Sequence, residues 1–391
     1  MFSSEKISVF AETVTIFTLG LTLLLGSSVH AEVTASTRII ASTHPSISTA
    51  IRTDMNTSTA MVDGLAAYQP SAYKQQESHQ AVLATALGRG AERVYVFTPA
   101  KPQLDRQKPV PVVFLHHGWQ GMNPQNFGAL IDHLARTGHV VIYPVYQESE
   151  KTSPQIVTQQ AVQADKDALA YLAKQGLTPD LNRILYVGFS MGAAISLNIA
   201  TAPNFFGLPA PKGMVLMAPG DAHHVATGTQ AKSIIGDVTK LPRSLAVAVM
   251  TGAADTSIGV PTARQVAAQM CHLPESQRAL MLLPSDTSGE RSIKSGHGSP
   301  GAPDNRYNMQ LSDMNFPRLI EGLPEFEASV SLNQLDFFGF WRVITTLNNT
   351  LASAQPVVVG SGPSRELSLG MWPNGVSFKP IQIEHPCGAN D

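Results

Sequence analysis

From residue 93 onward, short unbroken apolar runs alternate with longer stretches whose apolar residues recur every three or four positions. The runs are Arg93–Phe97, Val110–Leu115, Val140–Tyr143, Ile184–Val187, Met214–Met217, Leu245–Met250 and Ala279–Leu283. Runs of this length suit strands buried on both faces, as in a parallel sheet. Between them, Gln125–Thr137 sets Phe127, Leu130, Ile131 and Leu134 at helical spacing and stops at Gly138. Ser153–Gly176 lines up Val157, Ala161, Ala164, Ala168 and Leu172 on one face, and Gly192–Ala202 is a small-residue apolar helix. Leu335–Leu351 reads as the last helix, its Phe337, Phe338, Phe340 and Trp341 packing on the sheet. Strands alternating with helices predict an α/β fold around a mainly parallel sheet. Such sheets carry their functional residues at the carboxyl ends of the strands.

The region before this pattern is different. Lys6 sits in a short polar start, Ile16–Gly26 is a compact apolar run, and Val29-His30-Ala31 fits a small-residue cleavage site. This is the layout of an export signal over residues 1–31, cut after Ala31. The run is short for a bilayer span, and no Cys follows it to take a lipid. An uncleaved anchor is the competing reading. Residues 32–80, rich in Ser, Thr and Ala with few large apolar side chains, read as a weakly structured lead-in. Residues 81–391 form the expected catalytic domain with a C-terminal tail. A secreted or periplasmic location follows.

Composition narrows the function classes. The chain has 391 residues, 43% of them hydrophobic, and a formal net charge of −2, enough for a sizeable core. It has no block of Lys and Arg, which argues against nucleic acid as a partner. Its two cysteines, Cys271 and Cys387, suggest one disulfide in an exported protein, tying the end of a helix to the tail. The competing reading is two free buried thiols. A zinc site is not expected, because ligand spacing is missing.

The chemistry gathers around Ser190. Gly188-Phe189-Ser190-Met191-Gly192 follows the strand ILYV and precedes the helix GAAISLNIA. Strand, tight turn and helix are the setting that G-x-S-x-G needs to expose a nucleophilic hydroxyl. The small Gly188 and Gly192 leave room for the turn, and the helix start offers N–H groups to a developing anion. Oxyanion donors are expected at the Met191 N–H and, from His116-His117-Gly118-Trp119-Gln120-Gly121, at the Trp119 N–H, with Gly118 letting the chain turn. Adjacent strand residues point to opposite faces, so His116 and His117 chelate a metal poorly. Packing that shapes the loop, or contact with substrate, is expected of them instead.

A serine needs a base, and the base an orienting acid. Chain order in this kind of fold is Ser, acid, His. The strand LAVAVM ends in Thr251-Gly252-Ala253-Ala254-Asp255, and ALMLL is followed by a long loop holding Ser295-Gly296-His297-Gly298. Asp255 and His297 are the candidates. Asp221, beside His223 and His224, is a rival acid. His272 and His385 are rival bases.

These motifs resemble the α/β-hydrolase superfamily, from about Arg93 to Leu351. Gly-Phe-Ser-Met-Gly with Met191 after the nucleophile is similar to secreted cutinase-like and polyester hydrolases, and to chlorophyllase-like and dienelactone-hydrolase-like sequences. Gly252 to Asp255 matches their acid turn. Trp119 stands where polyester-degrading enzymes commonly carry Tyr, and Ser190 where the dienelactone branch carries Cys. The resemblance implies hydrolysis of carboxylic esters through an acyl-enzyme, with no cofactor, no metal and a small-molecule or lipid-like ester as partner. A monomer is expected. Pro219–Pro242 is too short for a large lid, which predicts an open site. Ser285 to about Leu332 would wall one side, with Phe316, Leu319, Ile320 and Leu323 in the core or against an acyl chain. Acyl transfer or peptide cleavage by the same residues, and an inactive binding protein on this fold, are the alternatives.

Overall fold

The computed structural model describes residues 36–41, 77–149, 151–222, 232–309, 329–353, 359 and 367–388. The expected export signal, most of the lead-in, His223, His224, Phe316, Leu319, Ile320 and Leu323 lie outside them. The described residues belong to one unit, Thr34–Asp391.

Nearly every apolar run becomes a strand. In chain order the strands are β1 (Ser36–Ala41), β2 (Ala81–Leu87), β3 (Val94–Ala100), β4 (Val110–His116), β5 (Val140–Pro144), β6 (Pro179–Phe189), β7 (Gly213–Met217), β8 (Ala246–Gly252), β9 (Arg278–Leu283), β10 (Asp286–Ser288), β11 (Arg291–Ile293) and β12 (Gln382–Glu384). Ten of them make one sheet in the order β1-β2-β3-β5-β4-β6-β7-β8-β9-β12, and β10 and β11 form a separate hairpin. The central run β5-β4-β6-β7-β8-β9 is parallel. β1, β2 and β3 add antiparallel on one side and β12 on the other.

The helices that position the site are α1 (Gly128–Arg136), α2 (Val157–Lys174), α3 (Met191–Thr201), α4 (Gly259–Gln269) and α5 (Trp341–Ala352). Strand pleating divides the core between them. Val113, Leu115, Leu185, Val187, Val215 and Met217 point to the face covered by α1 and α5, with Leu130, Leu134, Trp341 and Ile344. Their neighbours Val112, Phe114, Ile184, Tyr186, Met214 and Leu216 point to the face covered by α2, α3 and α4, with Ala161, Ala168, Ile195 and Val266. Both faces are dry, which is why the runs read as continuous rather than alternating.

Two stretches differ from expectation. The lead-in, expected to be weakly structured, contains edge strand β1. The tail supplies edge strand β12, which pairs with Leu280–Leu282 of β9. Asp286 holds this tail from inside: its carboxylate accepts the Trp372 indole N–H (3.1 Å) and the Lys379 amide (3.0 Å), and Trp372 stacks on Phe378. Arg264 on α4 grips Glu384 with two hydrogen bonds of 2.8 and 2.6 Å. Cys271 and Cys387 are joined as a disulfide. The last helix also starts late, because Leu335–Phe340 is wound as a π-helix ahead of α5.

Candidate active site

Backbone strain marks the place. Among the described residues five non-glycine residues have positive φ, and four of them, Gln120, Tyr146, Ser190 and Ala218, follow the carboxyl ends of β4, β5, β6 and β7. L-residues pay for this conformation, and they keep it where neighbouring structure holds them to it. The strands converge there on one corner of the sheet.

Ser190 is the sharpest case, with φ 51° and ψ −120° between β6 and α3. Its amide donates to the Met217 carbonyl (3.0 Å), which ties the turn to β7. Gly192 makes the turn possible by closeness: a Cβ there would run into the backbone carbonyls of His116 and His117. Gly118 does the same from the other loop, where a Cβ would lie 2.8 Å from the Phe189 ring and 3.1 Å from Ser190 Cβ. The left-handed residue of that loop is Gln120, with φ 63°. Gly118 was expected to be the turning residue, but the structure uses it for its missing side chain.

Three side chains from three loops meet at this corner. His297 Nε2 stands 3.0 Å from Ser190 Oγ, and His297 Nδ1 stands 2.6 Å from Asp255 Oδ2. The acid turn is stitched to the base loop, since the Ala254 amide donates to the Ser295 carbonyl (2.9 Å). Thr251 Oγ1 donates weakly to Asp255 Oδ2 (3.4 Å), and Asp255 is only 5% exposed. Beyond His297, the chain docks on the segment after β4. Ala302 N donates to Asn126 O (2.9 Å), Asp304 N to Gln125 O (3.0 Å), and Tyr307 Oη to Asp132 Oδ1 (2.7 Å). Asp132 is charged and paired: burial pushes its carboxyl up, but Arg136, Arg306 and Tyr307 outweigh that and hold it below the ordinary range. The His297 loop is thereby fixed to the loop carrying Trp119.

That loop is a turn closed by the Gly121 amide donating to the Gly118 carbonyl (2.9 Å). Neither the Trp119 amide nor the Met191 amide meets an acceptor among the described residues. Met191 opens α3, where the first N–H groups have no partner within the helix. An imidazole backed by a carboxylate can take the proton of the hydroxyl aligned with it, and backbone N–H groups beside them can stabilise an oxyanion.

Over residues 92–212 the chain matches the family model described as the dienelactone hydrolase family. That span holds the Trp119 loop and Ser190. The chain has an α/β-hydrolase fold. Among solved structures, the chain is similar to a candidate dienelactone hydrolase from Klebsiella pneumoniae subsp. pneumoniae, at 19% identity over 49% of this chain and 79% of that one, with a TM-score of 0.36. It is also similar to a carboxyl esterase 2 from the mycorrhizal fungus Tuber melanosporum, at 16% identity over 52% of this chain and 76% of that one, with a TM-score of 0.42. No curated protein matches it.

The rival residues have other partners. Asp221 Oδ1 accepts the amides of Ala222 (2.6 Å) and Ile234 (2.8 Å). His272 Nε2 is 2.9 Å from the Leu241 carbonyl, and His385 is exposed, 3.9 Å from Glu275. His116 is fully buried in a line of side chains, Nδ1 2.8 Å from Ser196 Oγ and Nε2 3.1 Å from Asp165 Oδ2. This binds β4, α3 and α2 beneath the serine turn. His117 is also buried, its ring stacked on Tyr146 at 4.0 Å between centroids. Burial lowers its pKa to about 4, against the pull of the Gly118 and Val145 carbonyls. Sequence reasoning missed the support given by Tyr143, Tyr146 and Gln147 at the end of β5. The one signal was a strand ending in an aromatic-polar cluster, Tyr143-Pro144-Val145-Tyr146-Gln147.

Proposed function

We propose that this protein is an exported serine esterase that cleaves carboxylic esters through an acyl-enzyme. The observation that carries the reading is the continuous line from Ser190 Oγ through His297 to Asp255 Oδ2, at 3.0 and 2.6 Å. His297 Nε2 takes the serine proton as Oγ adds to the ester carbonyl. The oxyanion is met by the Met191 and Trp119 N–H groups, where a donor is worth about 2.7–4 kcal/mol. His297 then gives its proton to the departing alcohol, leaving the acyl group on Ser190 Oγ. In the second half water loses a proton to His297, attacks the acyl carbon, and frees the acid as the proton returns to Ser190. Asp255 stays ionised and holds His297 Nδ1–H. The single chain supplies each of these groups, so the reading needs neither a cofactor nor a second subunit. Export is supported by the apolar run Ile16–Gly26 with its small-residue end and by the Cys271–Cys387 disulfide, a bond that persists in oxidising compartments.

A fluorophosphonate probe and nitrophenyl esters of increasing chain length test the chemistry. Wild type is expected to label once and Ser190→Ala not at all. His297→Ala is expected to lower turnover by roughly 10⁴- to 10⁶-fold. An unlabelled wild type, or equal labelling of Ser190→Ala, would overturn the proposal.

A further inference from the structure

Gln147 carries two local costs at once. It is fully buried, and its Nε2 meets no acceptor among the described residues, although buried amides are normally paired. Its Oε1 accepts the Gln120 amide at 2.9 Å. Gln120 in turn holds φ 63° as third residue of the turn Gly118–Gly121, a position of type II turns that favours Gly or Asn. Types I and II differ by a flip of the central peptide, here Trp119–Gln120. The acceptor on Gln147 selects the form in which the Gln120 N–H faces β5.

The rest of the turn is held by the same segment. The Tyr146 hydroxyl donates to the His117 carbonyl and the Tyr143 hydroxyl to the Gly121 carbonyl. His117 Nδ1 and Nε2 stand 2.6 and 2.8 Å from the Gly118 and Val145 carbonyls, and a neutral ring has one proton to give them. The Gly118 carbonyl thus faces the Gly121 amide and His117. A trans peptide points its N–H opposite to its carbonyl, so the Trp119 N–H faces away from these partners and stays unspent.

We infer that Gln147 is a positioning residue for the oxyanion loop: it locks the Trp119–Gln120 peptide, and with it the form of the Gly118–Gly121 turn whose preceding peptide carries the Trp119 N–H. This rests on the serine-esterase reading. It accounts for an unpaired buried amide and a left-handed glutamine at one hydrogen bond, since rules of local structure are broken mainly where function requires it.

The test uses Gln147→Met, which keeps the shape and removes both amide groups, with kcat expressed per probe-titrated site. We expect kcat to fall about 10- to 100-fold, the range for a loosened oxyanion donor, with KM within about twofold. The melting temperature is expected to hold or rise, because an unpaired buried donor is gone. Adding Gln120→Gly, which accepts positive φ without being held, is expected to restore part of the lost kcat. Unchanged kcat in Gln147→Met, or a loss that tracks a falling melting temperature and is not restored by Gln120→Gly, would overturn the inference. If wild type itself fails to label, the esterase reading falls and takes this inference with it. If wild type labels and Gln147→Met turns over normally, the inference falls alone.

Discussion

Breaking the Cys271–Cys387 bond separates stability from activity. The bond closes a loop of 116 residues, and restricting a loop of that length lowers the entropy of the unfolded chain enough to stabilise the fold by about 5 kcal/mol. The folded state has little to lose directly. Without the bond, the tail still has the Arg264–Glu384 pair, the Asp286 contacts to Trp372 and Lys379, and the β9–β12 pairing. The cost therefore falls on the unfolded side. Cys271→Ser/Cys387→Ser is expected to lower the melting temperature by about 10 °C, at roughly 2 °C per kcal/mol for a domain of this size. The urea m-value should rise as the unfolded chain expands. Activity per folded molecule at 25 °C should hold, because Cys271 precedes β9 whereas His297 follows its carboxyl end. Calorimetry, urea titration and ester kinetics on the same samples check all three. A double variant as stable as wild type would refute the loop argument. A loss of turnover at temperatures where the variant is fully folded would refute the separation of clamp from site.

Two further outcomes are expected. His117 and His139 are fully buried and held neutral, each pKa lowered from 6.5 to about 4, chiefly by burial. The unfolded chain protonates these histidines first as pH falls, so their contribution is complete above pH 6.5 and is lost progressively between 6.5 and about 4, up to about 3 kcal/mol each. Urea midpoints at pH 8, 6, 5 and 4 measure this, and a flat profile would contradict it. For export, the mature chain recovered from culture medium or periplasm is expected to begin at Glu32 by N-terminal sequencing. A chain that keeps Met1 and partitions with membranes would favour the anchor instead.

Much of the architecture was legible because the parallel strands are buried on both faces. Val110–Leu115 and Leu245–Met250 have almost no polar residue to confuse the pattern, and the helices between them show one apolar stripe each. The chain order of Ser190, Asp255 and His297 was also legible, because each comes after the carboxyl end of a strand in the parallel run β6-β7-β8-β9. β1 and β12 were not. Edge strands are short, half-exposed and polar, and their pairing comes from a partner distant in sequence. The role of Asp221 was hidden for a similar reason, since an acid that caps backbone amides has the same letter as one that orients a histidine.

The sequence by itself determined the order of strands and helices, the serine turn and the chain order of serine, acid and base, because these depend on local periodicity and short-range chemistry. Only the tertiary structure decided which histidine reaches Ser190 and which aspartate backs that histidine, that Gln147 braces Gln120, and that the tail closes the sheet edge. Those facts rest on contacts between residues far apart in the chain. Their geometry is set by how the layers pack, and no local pattern encodes it.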